Sequence, residues 1–311
     1  MDEAPKAETE RTVPPQAGGD RPVLGAAWMI GAMTSFTVMV VLVRYVTDPR
    51  LNPVPLKATD VAFYRSLVAL AMMLPFYFRR GVARGLVDLK TRRMKMFWLR
   101  GLLTYGALTT YVYAVAHMVL VDAVALNSTI PLFTAILAAA LLRERVGPAR
   151  WLITVVGFAG ALLVLRPGVI EVSWAAVAAL VSAALYASTG ITVKLLAASE
   201  PTWRIVFYTN ATLGLISAVP ALILWNPPTM QQAPIVIAVG LTSTLAHFCM
   251  ARAFSYADAS FVAPFDFIRL VLITFAGYFL FGETASVWTW VGAIIIFGSA
   301  IYLTRSEAKR T

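Results

Sequence analysis

Residues 205–251 read IVFYTNATLGLISAVPALILWNPPTMQQAPIVIAVGLTSTLAHFCMA, 47 positions without one Asp, Glu, Lys or Arg. An apolar helix crosses a bilayer in about 20 residues, so this stretch is long enough for two crossings. Asn226-Pro227-Pro228 stands near its middle and is a strong turn signal. The stretch therefore predicts two membrane helices joined by a tight turn. Its apolar run is continuous, without the alternation a membrane β-barrel strand requires, which excludes that architecture.

The same test extends along the chain. Pro22–Val43, Gly101–Val121, Ala123–Leu142, Val172–Val193 and Thr284–Thr304 are each free of charged residues and fit one span. Thr59–Phe78 and Ser260–Gly282 add two spans with internal charges. Trp151–Leu165 is short, but Arg150 and Arg166 can extend to the interface from its ends. The third span starts at Phe97, with Arg100 one turn in. These readings predict an all-α membrane protein of ten transmembrane helices. All eight tryptophans fall at or within about two turns of a span end, where an indole ring is buried and its N–H is wet.

Composition agrees. Of 311 residues, 59% are apolar and 14% charged, against about 25% charged in an average soluble domain. A disordered chain, a collagen-like fibre and a disulfide scaffold are excluded. The single cysteine, Cys249, allows neither an intramolecular disulfide nor a Cys-rich metal site. The net charge of +10 is a matter of placement. Seven Lys/Arg crowd the segment from Arg79 to Lys95. With the N-terminus inside, 19 basic residues lie in inner segments and four (Arg44, Arg50, Lys57, Arg166) in outer ones. The positive-inside rule then predicts both termini in the cytoplasm, and nucleic-acid binding is not expected. Residues 1–21 read as a disordered cytoplasmic tail, with no cleavable signal peptide expected ahead of the first span. Residues 306–311 read as a second tail.

The two halves echo each other. Phe63-Tyr64 corresponds to Phe207-Tyr208, Val121-Asp122-Ala123 to Ala257-Asp258-Ala259, and Arg143-Glu144 with Trp151 to Gly282-Glu283 with Trp290. Residues 22–166 and 172–305 are thus expected to be five-helix repeats. Five is odd, so the repeats must run in opposite senses through the membrane. Inverted repeats build a binding site near the midplane and expose it alternately to the two sides.

Several stretches carry a resemblance. They are Phe63-Tyr64-Arg65, Asn127–Pro131 followed by Glu144, Gly157-Phe158-Ala159-Gly160, Ala263–Leu270 and Phe281-Gly282-Glu283. Over about residues 23–304 the chain resembles the drug/metabolite transporter superfamily, EamA type. The resemblance implies two inverted five-helix repeats, cytoplasmic termini, export or exchange of small metabolites, and a cavity lined mainly by helices 1, 3, 4, 6, 8 and 9. It says little about substrate.

Polar residues inside spans are costly and need a partner or a task. Asp266 and Arg269 stand three apart on one face of span 9. They read either as a mutual salt bridge or as a substrate site, with Arg269 meeting a carboxylate or phosphate. Pro264 and Pro131 mark helix breaks in spans 9 and 4, whose freed carbonyls need a side chain, water or substrate. Asn127 is a candidate substrate contact or a repair of that break. Tyr113 and Tyr186, placed at or near mid-span, are candidate stacking residues or ordinary packing. His247 is a candidate carrier of a coupling proton or a neutral hydrogen-bonder between helices. Arg65 is read as a structural intramembrane charge. Glu144 and Glu283 read as surface or gate residues.

The chain has no P-loop, no G-x-S-x-G elbow and no H-E-x-x-H motif, and two histidines with one cysteine make a metal site improbable. No enzyme activity, metal or cofactor is expected. The leading reading is a secondary transporter in the bacterial inner membrane for a small organic metabolite, an amino-acid-like zwitterion or amphiphilic anion, with export favoured on the resemblance alone. The alternatives are an uptake permease for a vitamin, cofactor or nucleoside-containing metabolite, and a membrane-embedded enzyme. Partners expected are the metabolite, the lipid bilayer and a coupling proton. The protein is expected as a monomer or homodimer.

Overall fold

The computed structural model describes residues 22–78, 90–141, 148–166, 173–197, 199–224, 226–256, 265 and 267–308. Among these residues the chain forms ten helices and no strand. They are α1 (Pro22–Thr47), α2 (Ala58–Phe78), α3 (Met94–His117), α4 (Leu120–Leu141), α5 (Pro148–Leu165), α6 (Trp174–Ala197), α7 (Thr202–Leu224), α8 (Ala233–Tyr256), α9 (Phe267–Phe281) and α10 (Val287–Ala308). Helix α4 is in two segments, Leu120–Asn127 and Ile130–Leu141. By length and composition α1, α4, α6, α7 and α8 can each cross a membrane.

Several helices run beyond their charge-free stretch. Arg44, Lys194 and Arg204 lie inside the end turns of α1, α6 and α7, and Arg252 lies four residues before the end of α8. For the last three, a long stem can carry the charge towards the interface from inside the helix. Arg44 differs. It was expected in an outer loop, and the structure buries it.

An even number of crossings puts the start of α1 and the end of α10 at one end of the bundle, here the terminal end. The opposite end is the far end. The packing pairs follow the repeat. Helix α1 lies along α8 as α6 lies along α3, and the pairs α2–α7 and α5–α10 join equivalent helices of the two halves. Even the helix-interior prolines correspond: Pro75 stands three residues before the end of α2, and Pro220 four before the end of α7.

Helices α5 and α10 meet through glycine. A Cβ built on Gly292 would lie 2.5 Å from the Gly160 carbonyl oxygen, and one on Gly160 2.9 Å from that of Gly292. Small residues are what allow backbones in a membrane to approach this closely. The obstacle is backbone on both sides, so no side chain can yield. Gly292→Val is therefore expected to destabilise the bundle by about 1–3 kcal/mol or more. Thermal unfolding in detergent would show it, and an unchanged melting temperature would refute the close contact.

At the terminal end, the α6–α7 connection is tied to the segment before α3. The Thr91 hydroxyl donates to Glu200 Oε1 at 2.5 Å, Arg204 Nη1 lies 2.6 Å from Glu200 Oε2, and Arg93 Nη1 donates to the Leu195 carbonyl at 2.9 Å. Burial alone would raise the Glu200 carboxyl, but the hydrogen bond from Thr91 and the Arg204 pair outweigh it and hold it below its ordinary value. A depressed carboxylate contributes stability above its unfolded pKa, and that contribution is lost as pH falls through the folded one. Melting temperatures of wild type and Glu200→Gln are thus expected to differ at pH 7 and to converge in acid. A difference that stays constant with pH would refute the tie.

The buried side chains are distributed unevenly. One continuous cluster fills the far half, running from Met39–Val46 of α1 through Leu108–Val115 of α3 and Leu120–Leu126 of α4 to α8, α9 and α10. In the terminal half the described residues fall into three separate clusters, around Met29 and Cys249, around Phe97 and Leu196, and around Leu132. Among the described residues the buried core is thus continuous in the far half and divided in the terminal half.

Candidate functional site

The site grows from the break in α4. Its first segment ends at Asn127, and Ser128 is helical but tightened, with φ −68° and ψ 0°. Pro131 falls in the first turn of the second segment, where its missing N–H costs little. The carbonyls near the break are taken up locally. Ser128 Oγ donates to Val124 O at 2.9 Å, and Thr129 Oγ1 donates to Leu126 O at 2.7 Å.

Asn127 is buried and turned to neighbouring helices. Its Nδ2 donates to Ser182 Oγ on α6 at 3.3 Å, and that hydroxyl donates to Ala107 O on α3 at 2.8 Å. This chain ties α4, α6 and α3 together. It occupies the Asn127 donor with protein.

The basic side chains at mid-depth are less satisfied. Arg269 Nη2 reaches Ser128 Oγ at 3.4 Å, a long contact, and its buried Nε has no hydrogen-bond partner among the described residues. Arg65 Nε donates to Ser243 Oγ on α8 at 2.9 Å. Both guanidiniums bear electrostatically on the Tyr186 hydroxyl of α6, Arg65 more strongly than Arg269. His247, one turn after Ser243, holds Nδ1 2.7 Å from the Ser243 carbonyl and packs edge-on against Phe36 of α1 at 5.2 Å. His247 is exposed although it lies among the helices, and Arg65, Tyr186 and Arg269 keep partial exposure. None of the four is sealed in the apolar core.

Arg65 and Ser128 belong to the first half, Ser243, Tyr186, His247 and Arg269 to the second. Both bonds, Arg65–Ser243 and Arg269–Ser128, cross between the halves. A flexible stem with a fork of donors suits a carboxylate or phosphate, and Tyr186 offers a ring face and a hydroxyl. Nearer the terminal end, Arg100 of α3 donates to Thr209 Oγ1 at 2.6 Å and to Thr189 O at 2.7 Å. Among the described residues no three His, Cys, Asp or Glu side chains gather as a metal would need.

The structure thus brings together Arg269, Tyr186 and His247 from the residues singled out in the sequence, and adds Arg65, which was read as structural. Asn127 is near but facing protein. Tyr113, expected near mid-span, lies one turn from the far end of α3. There it stacks on His117 at 4.3 Å and lines a far-end cavity with Lys57, Leu224 and Asn226. Asp266 and Pro264 lie outside the described residues. Ser128, Ser182 and Ser243 were missed. A lone serine in an apolar run carries no signal until a partner helix is set beside it.

Comparison with known proteins follows the same two halves. A family model described as the EamA-like transporter family matches residues 23–166 and again 173–305. The riboflavin transporter of Rhizobium johnstonii is 30% identical over 295 residues, covering 93% of this chain and 94% of its own. The S-adenosylmethionine uptake transporter of Rickettsia bellii is 29% identical, covering 92% and 95%. The pseudopaline exporter of Pseudomonas aeruginosa is 29% identical, covering 91% and 96%. A crystal structure 19% identical in sequence superposes with a TM-score of 0.56 over 92% of this chain and 98% of its own, a likeness of fold.

Proposed function

We infer the function from one premise: this chain belongs to the EamA-like transporter family. It is a small-metabolite transporter of the membrane. Our finer reading is a secondary transporter that works by alternating access, for an amphiphilic metabolite carrying at least one anionic group. The observation that carries this reading is the group of Arg65, Tyr186 and Arg269, which we read as lining the transport path: the bonds of its two arginines to Ser243 and Ser128 cross between the inverted halves. Charged donors held at that boundary are met by substrate in one state and re-paired in the other. Asp266, three residues before Arg269, is the proposed partner for a substrate amine, which makes an amino-acid-like zwitterion acceptable.

Export is favoured by the sequence resemblance, but we take uptake as the working direction. Support comes from relatives named as S-adenosylmethionine uptake transporters, whose substrate joins a nucleoside to an amino acid. The pseudopaline exporter keeps export as the second reading. The gradient sets direction in either case. The proposed setting is the bacterial inner membrane, with the basic terminal end in the cytoplasm. His247 is the proposed proton carrier if flux is proton-coupled.

The deciding experiment is flux of labelled S-adenosylmethionine and riboflavin into proteoliposomes holding purified protein, with and without a pH gradient. Saturable uptake of either, competed by the unlabelled compound, supports a metabolite transporter; uptake of S-adenosylmethionine, which carries a carboxylate, supports the anionic group, and uptake of uncharged riboflavin alone would overturn that part. Accumulation driven by the pH gradient in wild type and lost in His247→Gln supports the proton. Flux equal to protein-free liposomes for these and for a panel of amino acids and nucleosides would sink it.

A further inference from the structure

At the far end of the bundle sits an ion cluster that the midplane site does not use. Arg44, in the last turn of α1, is 4% exposed. Its Nη2 lies 2.6 Å from Glu283 Oε1, and its Nε 3.2 Å from Asp48 Oδ2. Its Nη1 donates to the carbonyls of Met118, at 3.0 Å, and Val115. Glu283 completes the knot, because its Oε2 accepts the Leu120 N–H, at the start of α4, at 2.7 Å.

Glu283 is aimed there by the turn after α9. Gly282 adopts φ +65°, the left-handed conformation that ends a helix and that glycine takes without strain. The Glu283 N–H then folds back to Gly277 O at 3.0 Å, turning its carboxylate across to α1. One guanidinium and one carboxylate thus join α1, the α3–α4 connection and the α9–α10 turn. A second contact runs beside it, from Thr289 Oγ1 of α10 to Asp122 Oδ1 of α4 at 2.7 Å.

We propose that Arg44, with Glu283 and Asp48, is the lock of the far-end gate, the contact that must part before the midplane site can open on that side. The proposal rests on the alternating-access reading. Glu283 belongs to the second half; Arg44, Asp48 and the Leu120 N–H belong to the first. If the halves rock against each other, this bridge cannot survive the motion. It also sits beside the continuous buried cluster of the far half.

Ionic chemistry suits a gate better than an apolar seal would. While the end is closed, low dielectric strengthens the pair; when it opens, both charges gain water together, so neither is stranded. The inverted repeat supplies a counterpart in sequence. Lys194 stands three residues before the end of α6, as Arg44 stands three before the end of α1, and Glu144 follows α4 in sequence as Glu283 follows α9.

The test reads access, not transport. In a Cys249→Ala background, Met39→Cys places a thiol on α1 between Phe36, beside His247, and Arg44 at the gate. A membrane-impermeant methanethiosulfonate reagent is applied to spheroplasts, where the Lys/Arg distribution puts the far end outside. Labelling is expected to be slow in the background and about fivefold faster or more in Glu283→Gln and in Arg44→Gln, as a shift towards the open population requires. Asp48→Asn, the mildest change, is expected to fall between. Rates within about twofold of background in all single variants, or fast labelling already in the background, would overturn the lock. Melting temperatures of each variant separate an opened gate from a misfolded protein; should Arg44→Gln not fold, Glu283→Gln and Asp48→Asn decide. Flux by the wild type is measured separately, so failure of the lock and failure of the transport reading are told apart.

Discussion

Replacing Arg269 by alanine is expected to weaken ligand binding by roughly 10- to 150-fold, the loss of one hydrogen bond to a charged group, about 1.5–3 kcal/mol. The reason lies in how little the protein itself uses this side chain. Its one hydrogen bond among the described residues is the 3.4 Å reach to Ser128, and its buried Nε makes none. A buried donor left open is costly unless something arrives to accept it. An incoming carboxylate or phosphate would fill that role. Truncation then removes a binding contact and little structure, so the variant is expected to keep the wild-type melting temperature without ligand. The measurement is the ligand-induced thermal shift with S-adenosylmethionine or another substrate found by flux. At 100 times the wild-type Kd, wild type gains about 2.7 kcal/mol, and the variant should gain about 0.3–1.4 kcal/mol at the same concentration. Arg269→Lys keeps the charge but loses the fork, and is expected to recover only part. A full shift in both variants would move the anion site elsewhere, with Arg65 the next to test.

Arg44→Ala is expected to behave in the opposite way, with a large loss of stability whether or not ligand is present. Removing one member of a buried ion pair leaves the other charged and unpaired, at about 3–5 kcal/mol. Here one truncation strands the Glu283 and Asp48 carboxylates and two carbonyl groups at once. Glu283→Gln removes less, because its amide can still accept from Leu120 and Arg44 keeps Asp48. Combining Arg44→Met with Glu283→Gln is expected to be less damaging than Arg44→Ala alone, since no carboxylate then remains opposite an empty site except Asp48. Unfolding midpoints in detergent, taken for the four proteins under one condition, give the order. An Arg44→Ala midpoint equal to wild type would mean that the cluster is already hydrated.

The contrast between these two arginines shows how far the chain could be read without its fold. Arg269 stood out because its charge falls inside a span, where hydrocarbon makes every ionisable group conspicuous. Arg44 stood beyond a charge-free run, so its charge looked like an ordinary loop cation. Nothing local distinguishes a cation at a helix end that faces water from one that meets a glutamate 239 residues away. The depth of Tyr113 was misplaced for a related reason. Its depth was judged from a stretch that ran to Val121, whereas α3 ends at His117 and leaves it one turn from the end. Asn127 was recognised as either a ligand contact or a repair, and only the neighbouring Ser182 and Ala107 carbonyl show it tied to protein.

What the sequence determined by itself is what hydrocarbon imposes on a chain locally. Apolar runs of bilayer length, turn residues between them and the count of ten follow from the cost of unpaired peptide groups and charges in lipid, which is felt residue by residue. Repetition with an odd number of spans per half then forces the halves to be inverted. What the tertiary structure decided is which polar groups meet: Arg65 with Ser243, Arg269 with Ser128, and Arg44 with Glu283. Hydrogen bonds and ion pairs depend on positions within about an ångström across helices distant in sequence, and apolar surface that packs against other apolar surface leaves no mark of its partner in the residues themselves.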